Sequence, residues 1–371
     1  MIENRFTVTY QITGNEKSSH EAAKIICYEQ TVELNEDVLK DETIRENVVG
    51  KIEIFREIKN EIFEAVISYD EETTAYELPQ LLNVMFGNTS IKPNVRLFDF
   101  SLSDGLRKKF RGPKFGITGI RKLLNVYDNP LLCSALKPMG KSAEELANLT
   151  FQLAKGGVDI IKDDHGLSNQ SFCSFEERVS ACASAVKKAN EETGRNSIYV
   201  PHITGRYDDV MKRAAFAKEK GALGYLISPG LCSFDTMLAV SENDKLNLPV
   251  ISHPAFLGGM SHNNENGISH KILYGKLQRL SGADSSIFPN YGGRFSFSKE
   301  ECENIKNGCL HEMNDYLSIF PMPGGGMSEE RLPDMLKLYG NDVIFLIGGA
   351  LFQDENNIEK TCRRFLNTMG R

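Results

Sequence analysis

Apolar and polar residues alternate along Phe6–Thr13, a period that predicts a strand. Helical spacing follows over 21–30, then a long β-rich segment over 51–69. A second helix is predicted over 76–86, with Gly87 as its C-cap glycine, and 94–101 closes as a strand. The order reads βαββαβ with antiparallel pairing. The charged segment 35–47 is predicted to be an exposed connection. Residues 102–129, with Phe110-Arg111-Gly112-Pro113 and Tyr127-Asp128-Asn129-Pro130, read as a linker bounded by turns.

From Leu131 the pattern changes. Apolar strands are predicted to begin near Leu131, Val158, Ser197, Leu223, Pro249, Ser285, Tyr316 and Val343. Helical periodicity fills most of the gaps, as over 143–154, 175–192 and 210–220. Eight such units predict a (β/α)8 barrel in an α/β fold. An open doubly wound sheet is the alternative, but eight strands is long for one.

Composition narrows the function classes. The net charge is −7 and basic residues are not clustered, which argues against a nucleic-acid partner. No apolar run approaches the roughly 20 residues of a membrane helix, so no membrane partner is expected. The start, Met-Ile-Glu-Asn-Arg-Phe, lacks a basic stretch before an apolar one, so a secretory signal is not expected. Eight cysteines without a Cys-x-x-Cys pair suit reduced thiols and a cytoplasmic location.

In a barrel the active site lies at the C-terminal ends of the strands. Those ends carry Lys137, then Lys162, Asp164 and His165, then His202 and Thr204, then His253. The sixth runs into Asn290-Tyr291-Gly292-Gly293-Arg294, and the last two into Gly324-Gly325-Gly326 and Gly348-Gly349. Packing does not call for polar chemistry at one end of nearly every strand. Glycine turns expose backbone N–H groups, and after the last two strands that geometry suits a phosphate. Tight-turn closure is the plainer account of the same glycines.

The densest stretch is Lys162-Asp163-Asp164-His165. Strand alternation places Lys162 and Asp164 on one face, and Asp163 and His165 on the other. Lys162 and Asp164 could share a Mg²⁺ if the lysine becomes a carbamate, since an ammonium cannot ligate a hard cation. A strand-end ion pair, a helix N-cap and a Schiff-base lysine of an aldolase-type barrel are open alternatives. His253 and His202, taken alone, read as hydrogen-bonded core histidines. Lys137 reads as a general acid or base, or as an exposed charge.

At these residues the chain resembles the large subunit of RuBisCO, and more closely the RuBisCO-like proteins of form IV. The motifs are Phe110-Arg111-Gly112-Pro113 with Gly116-Ile117, Pro130-Leu131-Leu132 to Lys137-Pro138, and Gly156-Gly157-Val158-Asp159 to Lys162-Asp163-Asp164. Arg279 to Asp284, Gly324-Gly325-Gly326 and Gly348-Gly349 complete them in order. The resemblance implies a ferredoxin-like α+β domain (1–125) before the barrel (126–371). It also implies a homodimer whose sites form between the barrel of one subunit and the N-terminal domain of the other.

By position, the resemblance makes Lys162 the carbamylated lysine, Asp164 a Mg²⁺ ligand and Lys137 the proton shuttle. His253 becomes an active-site histidine, and Gly325, Gly326, Gly348 and Gly349 become phosphate-binding positions. Asn88, and more loosely Glu29, would reach the partner's site. The departures bear on activity. His165 replaces a glutamate ligand, which leaves Mg²⁺, a transition metal or no metal open, with His165 itself an acid or base in the last case. Met139 replaces a second lysine, Pro254 replaces a phosphate-binding arginine, and Arg294 stands near the position of the mobile-loop lysine.

CO2 fixation on a bisphosphate is therefore not expected. The resemblance implies enolisation of a small, singly phosphorylated keto compound. The outcome would be isomerisation or enolisation of a methionine-salvage sugar phosphate, or carbon–carbon cleavage of an oxo sugar-acid phosphate such as 3-oxo-isoapionate 4-phosphate. A Schiff-base aldolase and a non-catalytic sugar-phosphate-binding regulator are the alternatives.

Overall fold

Along β1 (Arg5–Thr13) the alternation buries Phe6, Val8, Tyr10 and Ile12 on one face of a sheet. β1 lies between β3 (Ile62–Asp70) and β4 (Val95–Ser101), and β2 (Lys51–Lys59) pairs with β3, all antiparallel. The order β4-β1-β3-β2 is that of the expected βαββαβ unit. A two-residue strand, Gly267–Ile268, adds to the outer edge of β4 in parallel. This computed structural model describes residues 4–352 and 357–371.

One local expectation needs correction. The first helix begins at Glu16, because Asn15 accepts the Ser18 N–H at 2.9 Å and caps it earlier than the apolar spacing suggests. Gly87 caps the helix Leu78–Phe86 as expected, with φ −62°. A Cβ there would sit 2.6 Å from the Asn83 carbonyl oxygen, so close approach is what requires glycine.

Contacts divide the chain into two units. One runs to Arg111 and includes Leu257–Leu273 and Met313–Asp315; the other holds Gly112–Phe256, Tyr274–Glu312 and the chain from Tyr316. The stretch read as a linker contains two helices, Asp104–Lys109 and Gly116–Leu124. The second joins the barrel core through Ile120 and Leu124. It is pinned there by Asp284, whose Oδ1 accepts the N–H groups of Phe115 and Gly116, each at 2.7 Å. The other oxygen accepts the Val250 N–H at 2.9 Å. Burial pushes the Asp284 carboxyl up to about 6 against the pull of these donors.

The second unit is a ring of parallel strands. They are β5 (Leu131–Leu136), β6 (Ile160–Asp163), β7 (Ile198–Val200), β8 (Tyr225–Ile227), β9 (Val250–Ser252), β10 (Ser285–Pro289), β11 (Phe320–Gly324) and β12 (Ile344–Leu346). Their order is β7-β6-β5-β12-β11-β10-β9-β8, and a bridge from His202 to Leu226 brings the two ends together. Leu131, Cys133, Ile160, Val200, Leu226, Ile251, Ile287, Met322 and Ile344 fill the interior. Among the described residues, no helix is long and apolar enough to cross a membrane.

The end of β6 is held by one buried carboxylate. Asp163 accepts from Arg178 Nε at 3.0 Å, from the Tyr199 hydroxyl at 2.7 Å and from the His202 N–H at 3.0 Å. Alternation then sends Lys162 to the opposite side. His202 is locked behind it, Nδ1–H donating to the Leu167 carbonyl at 3.1 Å and Nε2 facing Ser228 Oγ at 3.3 Å. Burial pushes the His202 imidazole down to about 4.

Two predictions follow from these buried groups. Asp284→Asn places an NH2 group against backbone donors and should cost about 2 kcal/mol in urea unfolding; an unchanged midpoint contradicts this pinning. His202 has a folded pKa below its unfolded 6.5, so the unfolded state binds the extra proton between pH 6.5 and about 4. Stability should fall with acid across that window by up to roughly 3 kcal/mol from this residue. His202→Gln should flatten the slope, and an identical slope contradicts the assignment.

Candidate active site

Four neighbouring strands of the ring, β11, β12, β5 and β6, end in the glycines, lysines and carboxylates singled out in the sequence. On β6, Lys162 is 1% exposed and its Nζ donates to the Asp163 carbonyl at 3.0 Å. Burial holds its ammonium below the usual lysine range, with Lys137 adding to the effect. A buried, more readily neutral amine is the form that reacts with CO2 or with a carbonyl carbon.

Asp164 is the hub of the mouth. Its Oδ1 lies 3.2 Å from Lys137 Nζ and 3.5 Å from His165 Nδ1. Burial alone would raise this carboxyl, but the His165 hydrogen bond and the Lys137 and Lys162 charges outweigh it and hold it well below the usual carboxylate range. Asp163, by contrast, is consumed by Arg178, Tyr199 and His202.

His165 does not follow the alternation expected of it. β6 stops at Asp163, and in the turn beyond it the imidazole comes beside Asp164. It also stacks on His253, with ring centroids 4.3 Å apart and planes at 15°. His253 Nδ1 accepts the Ala255 N–H at 3.2 Å, so the neutral ring carries its proton on Nε2. Burial, then the Lys162 and His165 charges, push His253 well below its ordinary range. It offers the site a donor, not a base.

The donor set for a hard cation is narrow. Among the described residues, no three His, Cys, Asp or Glu side chains lie together as a metal-ligand group. Lys162 and Asp164 become two oxygen-bearing ligands only when Lys162 carries a carbamate, and the imidazole of His165 is the softer neighbour. The residues fit Mg²⁺ on that condition.

The glycines fall into two kinds. Gly325 and Gly326 have φ of +87° and +80°, and a Cβ on Gly326 would lie 2.8 Å from the Gly293 Cα. The loops after β10 and β11 therefore touch backbone to backbone. Around Gly348 and Gly349 a Cβ would meet nothing within 4 Å. The protein's own packing does not demand glycine there. Arg294 is exposed, its guanidinium 5.5 Å from the Phe295 ring centroid.

Asn88 belongs to the first unit, where its amide donates to Glu29 at 3.1 Å and to Glu33 at 3.2 Å. Lys92 lies 3.7 Å from Glu29. Sequence reading missed Glu33 and the supporting groups Arg178, Tyr199 and Ser228. It also missed Arg331, which donates to the Gly292 carbonyl at 2.7 Å. Arg178 could have been found as the buried-face cation in the first turn of the helix after β6. Nothing in the spacing signals Arg331.

Comparison with known proteins gives the family. The family model of the ribulose bisphosphate carboxylase large chain, catalytic domain, matches residues 116–295. Ribulose bisphosphate carboxylase-like protein 1 of Rhodopseudomonas palustris is 36% identical over 98% of this chain and 97% of its own. 5-Methylthioribulose-1-phosphate isomerase of Rhodospirillum rubrum is 34% identical, over 100% of this chain and 97% of its own. A crystal structure of a Rubisco-like protein from Rhodopseudomonas palustris superposes with a TM-score of 0.89 at 34% identity, over 99% of this chain and 98% of that one. This chain belongs to the ribulose bisphosphate carboxylase large-chain family, among its RuBisCO-like proteins.

Proposed function

We propose that this protein removes a proton next to the carbonyl of a small, singly phosphorylated keto sugar and returns one at the neighbouring carbon. The Rhodospirillum rubrum relative is named as an isomerase of 5-methylthioribulose 1-phosphate, which supports this reading. The observation that carries the reading is the Lys137–Asp164 pair at 3.2 Å, beside buried Lys162 and next in the ring to the strand ending at Gly348 and Gly349. A lysine amine, the carboxylate paired with it and a glycine turn stand on adjacent strands. Met139 and Pro254 stand where a carboxylase has a lysine and a phosphate-binding arginine, and an arginine, Arg294, stands near the position of its mobile-loop lysine, which supports a reaction other than carboxylation of a bisphosphate.

Lys137 Nζ, as the neutral amine, takes the proton from carbon while the electron pair of the broken C–H bond moves into the enediolate, and the resulting ammonium returns that proton at the neighbouring carbon. Asp164 holds the amine in place, and the Nε2–H of His253 is a donor for the oxyanion. Mg²⁺ held by the Lys162 carbamate and Asp164 would supply further polarisation of the carbonyl when bound. Burial of Lys162 favours a carbamate over a Schiff base, because CO2 is far smaller than a sugar phosphate. Asn88 and Glu29 of a second copy would complete the site in a homodimer.

With 5-methylthioribulose 1-phosphate as the test compound, Lys137→Met should lower kcat by about a hundredfold or more while inorganic phosphate still binds. Unchanged turnover overturns the proton-transfer role. With 13C-bicarbonate and Mg²⁺, a carbamate carbon signal should appear and vanish in Lys162→Met. Borohydride trapping of substrate on Lys162 would instead favour the aldolase reading.

A further inference from the structure

The loops after β10 and β11 are tied together by one side chain. Arg331, in the short turn Glu329–Arg331, donates through Nη1 to the Gly292 carbonyl at 2.7 Å and to the Gly326 carbonyl at 3.5 Å. Its Nη2 donates to the Tyr291 carbonyl, and the guanidinium lies 5.5 Å from the Tyr291 ring centroid. Three carbonyl oxygens from two loops therefore converge on one cation. Without it their negative ends would repel, and each peptide would be free to turn over.

A trans peptide is planar, with its N–H antiparallel to its C=O. Holding the carbonyls of Tyr291, Gly292 and Gly326 toward Arg331 turns the following N–H groups, those of Gly292, Gly293 and Met327, the other way. Among the described residues these three N–H groups donate to no protein acceptor. The glycines make the arrangement possible. Gly292 has φ of +62°, and a Cβ on it would sit 2.6 Å from Arg331 Nη2. A Cβ on Gly293 would sit within 1.9 Å of the Gly325 carbonyl oxygen, so the loops close on each other only without side chains.

We infer that Arg331 is a positioning residue: its guanidinium fixes these peptide planes so that the N–H groups of Gly292, Gly293 and Met327 face, and hold, the substrate's phosphate. This rests on the preceding reading that the substrate carries a phosphate. Arg331 does not touch the anion. It sets the donors from behind, and it makes the two loops move as one.

The test measures kcat and KM for 5-methylthioribulose 1-phosphate, and the Kd of inorganic phosphate by calorimetry, in wild type, Arg331→Met, Arg331→Lys and Gly292→Ala. Loss of Arg331 should raise KM and the phosphate Kd about tenfold each, with kcat within about twofold, because phosphate binding is shared by ground and transition states. Arg331→Lys should recover only part, since an ammonium lacks the planar fork. Gly292→Ala should reproduce the defect from the loop side, and it carries the test if Arg331→Met fails to fold. Wild-type phosphate binding that persists unchanged in both Arg331→Met and Gly292→Ala overturns the inference while leaving the proposed function standing. A wild-type protein that binds no phosphate overturns both.

Discussion

The chemistry at the barrel mouth depends on the buried carboxylate of Asp163. It is fully buried, and a lone charge there would be prohibitively costly. Arg178, Tyr199 and the His202 backbone satisfy it. That network joins β6, β7 and the helix Phe175–Thr193, so the strand end cannot rotate. Lys162 is thereby committed to the interior and Asp164 to the mouth, where Lys137 and His165 meet it. A buried ion pair of this kind contributes little net stability, but breaking it is expensive, and it fixes direction.

Much of the fold was legible because its signals are local. Each barrel strand begins within a few residues of where its apolar run begins, since a buried parallel strand has no polar face to blur it. The helix Gly116–Leu124 was not legible. Its apolar positions are interrupted by Gly116 and Gly119, and its anchor, Asp284, is remote in sequence. The site divides the same way. Strand ends announced Lys137, Lys162, Asp164 and the glycines, whereas the turn of His165 toward Asp164 depends on where β6 stops. The protonation of His253 depends on one N–H two residues on, and Arg331 acts through carbonyls that no residue pattern reveals.

His165 gives the site its character. Where the resemblance to RuBisCO implies a glutamate ligand, this chain has an imidazole that leans on Asp164 and stacks on His253. The carboxylate is thus shared between a lysine and a histidine. Such a centre is suited to moving protons at a carbonyl compound and poorly suited to holding CO2 on a rigid, all-oxygen metal site. In the proposed reading the glycine loops would supply the complementary half, an anion grip made of backbone and oriented by Arg331.

The central claim is proton removal next to a carbonyl, and hydrogen exchange tests it most directly. 5-Methylthioribulose 1-phosphate incubated with the protein, Mg²⁺ and bicarbonate in D2O would be followed by proton NMR. The account predicts loss of the C–H signal beside the carbonyl at least as fast as product forms, and loss of that exchange in Lys137→Met. Product that forms with its carbon-bound hydrogens fully retained would contradict it.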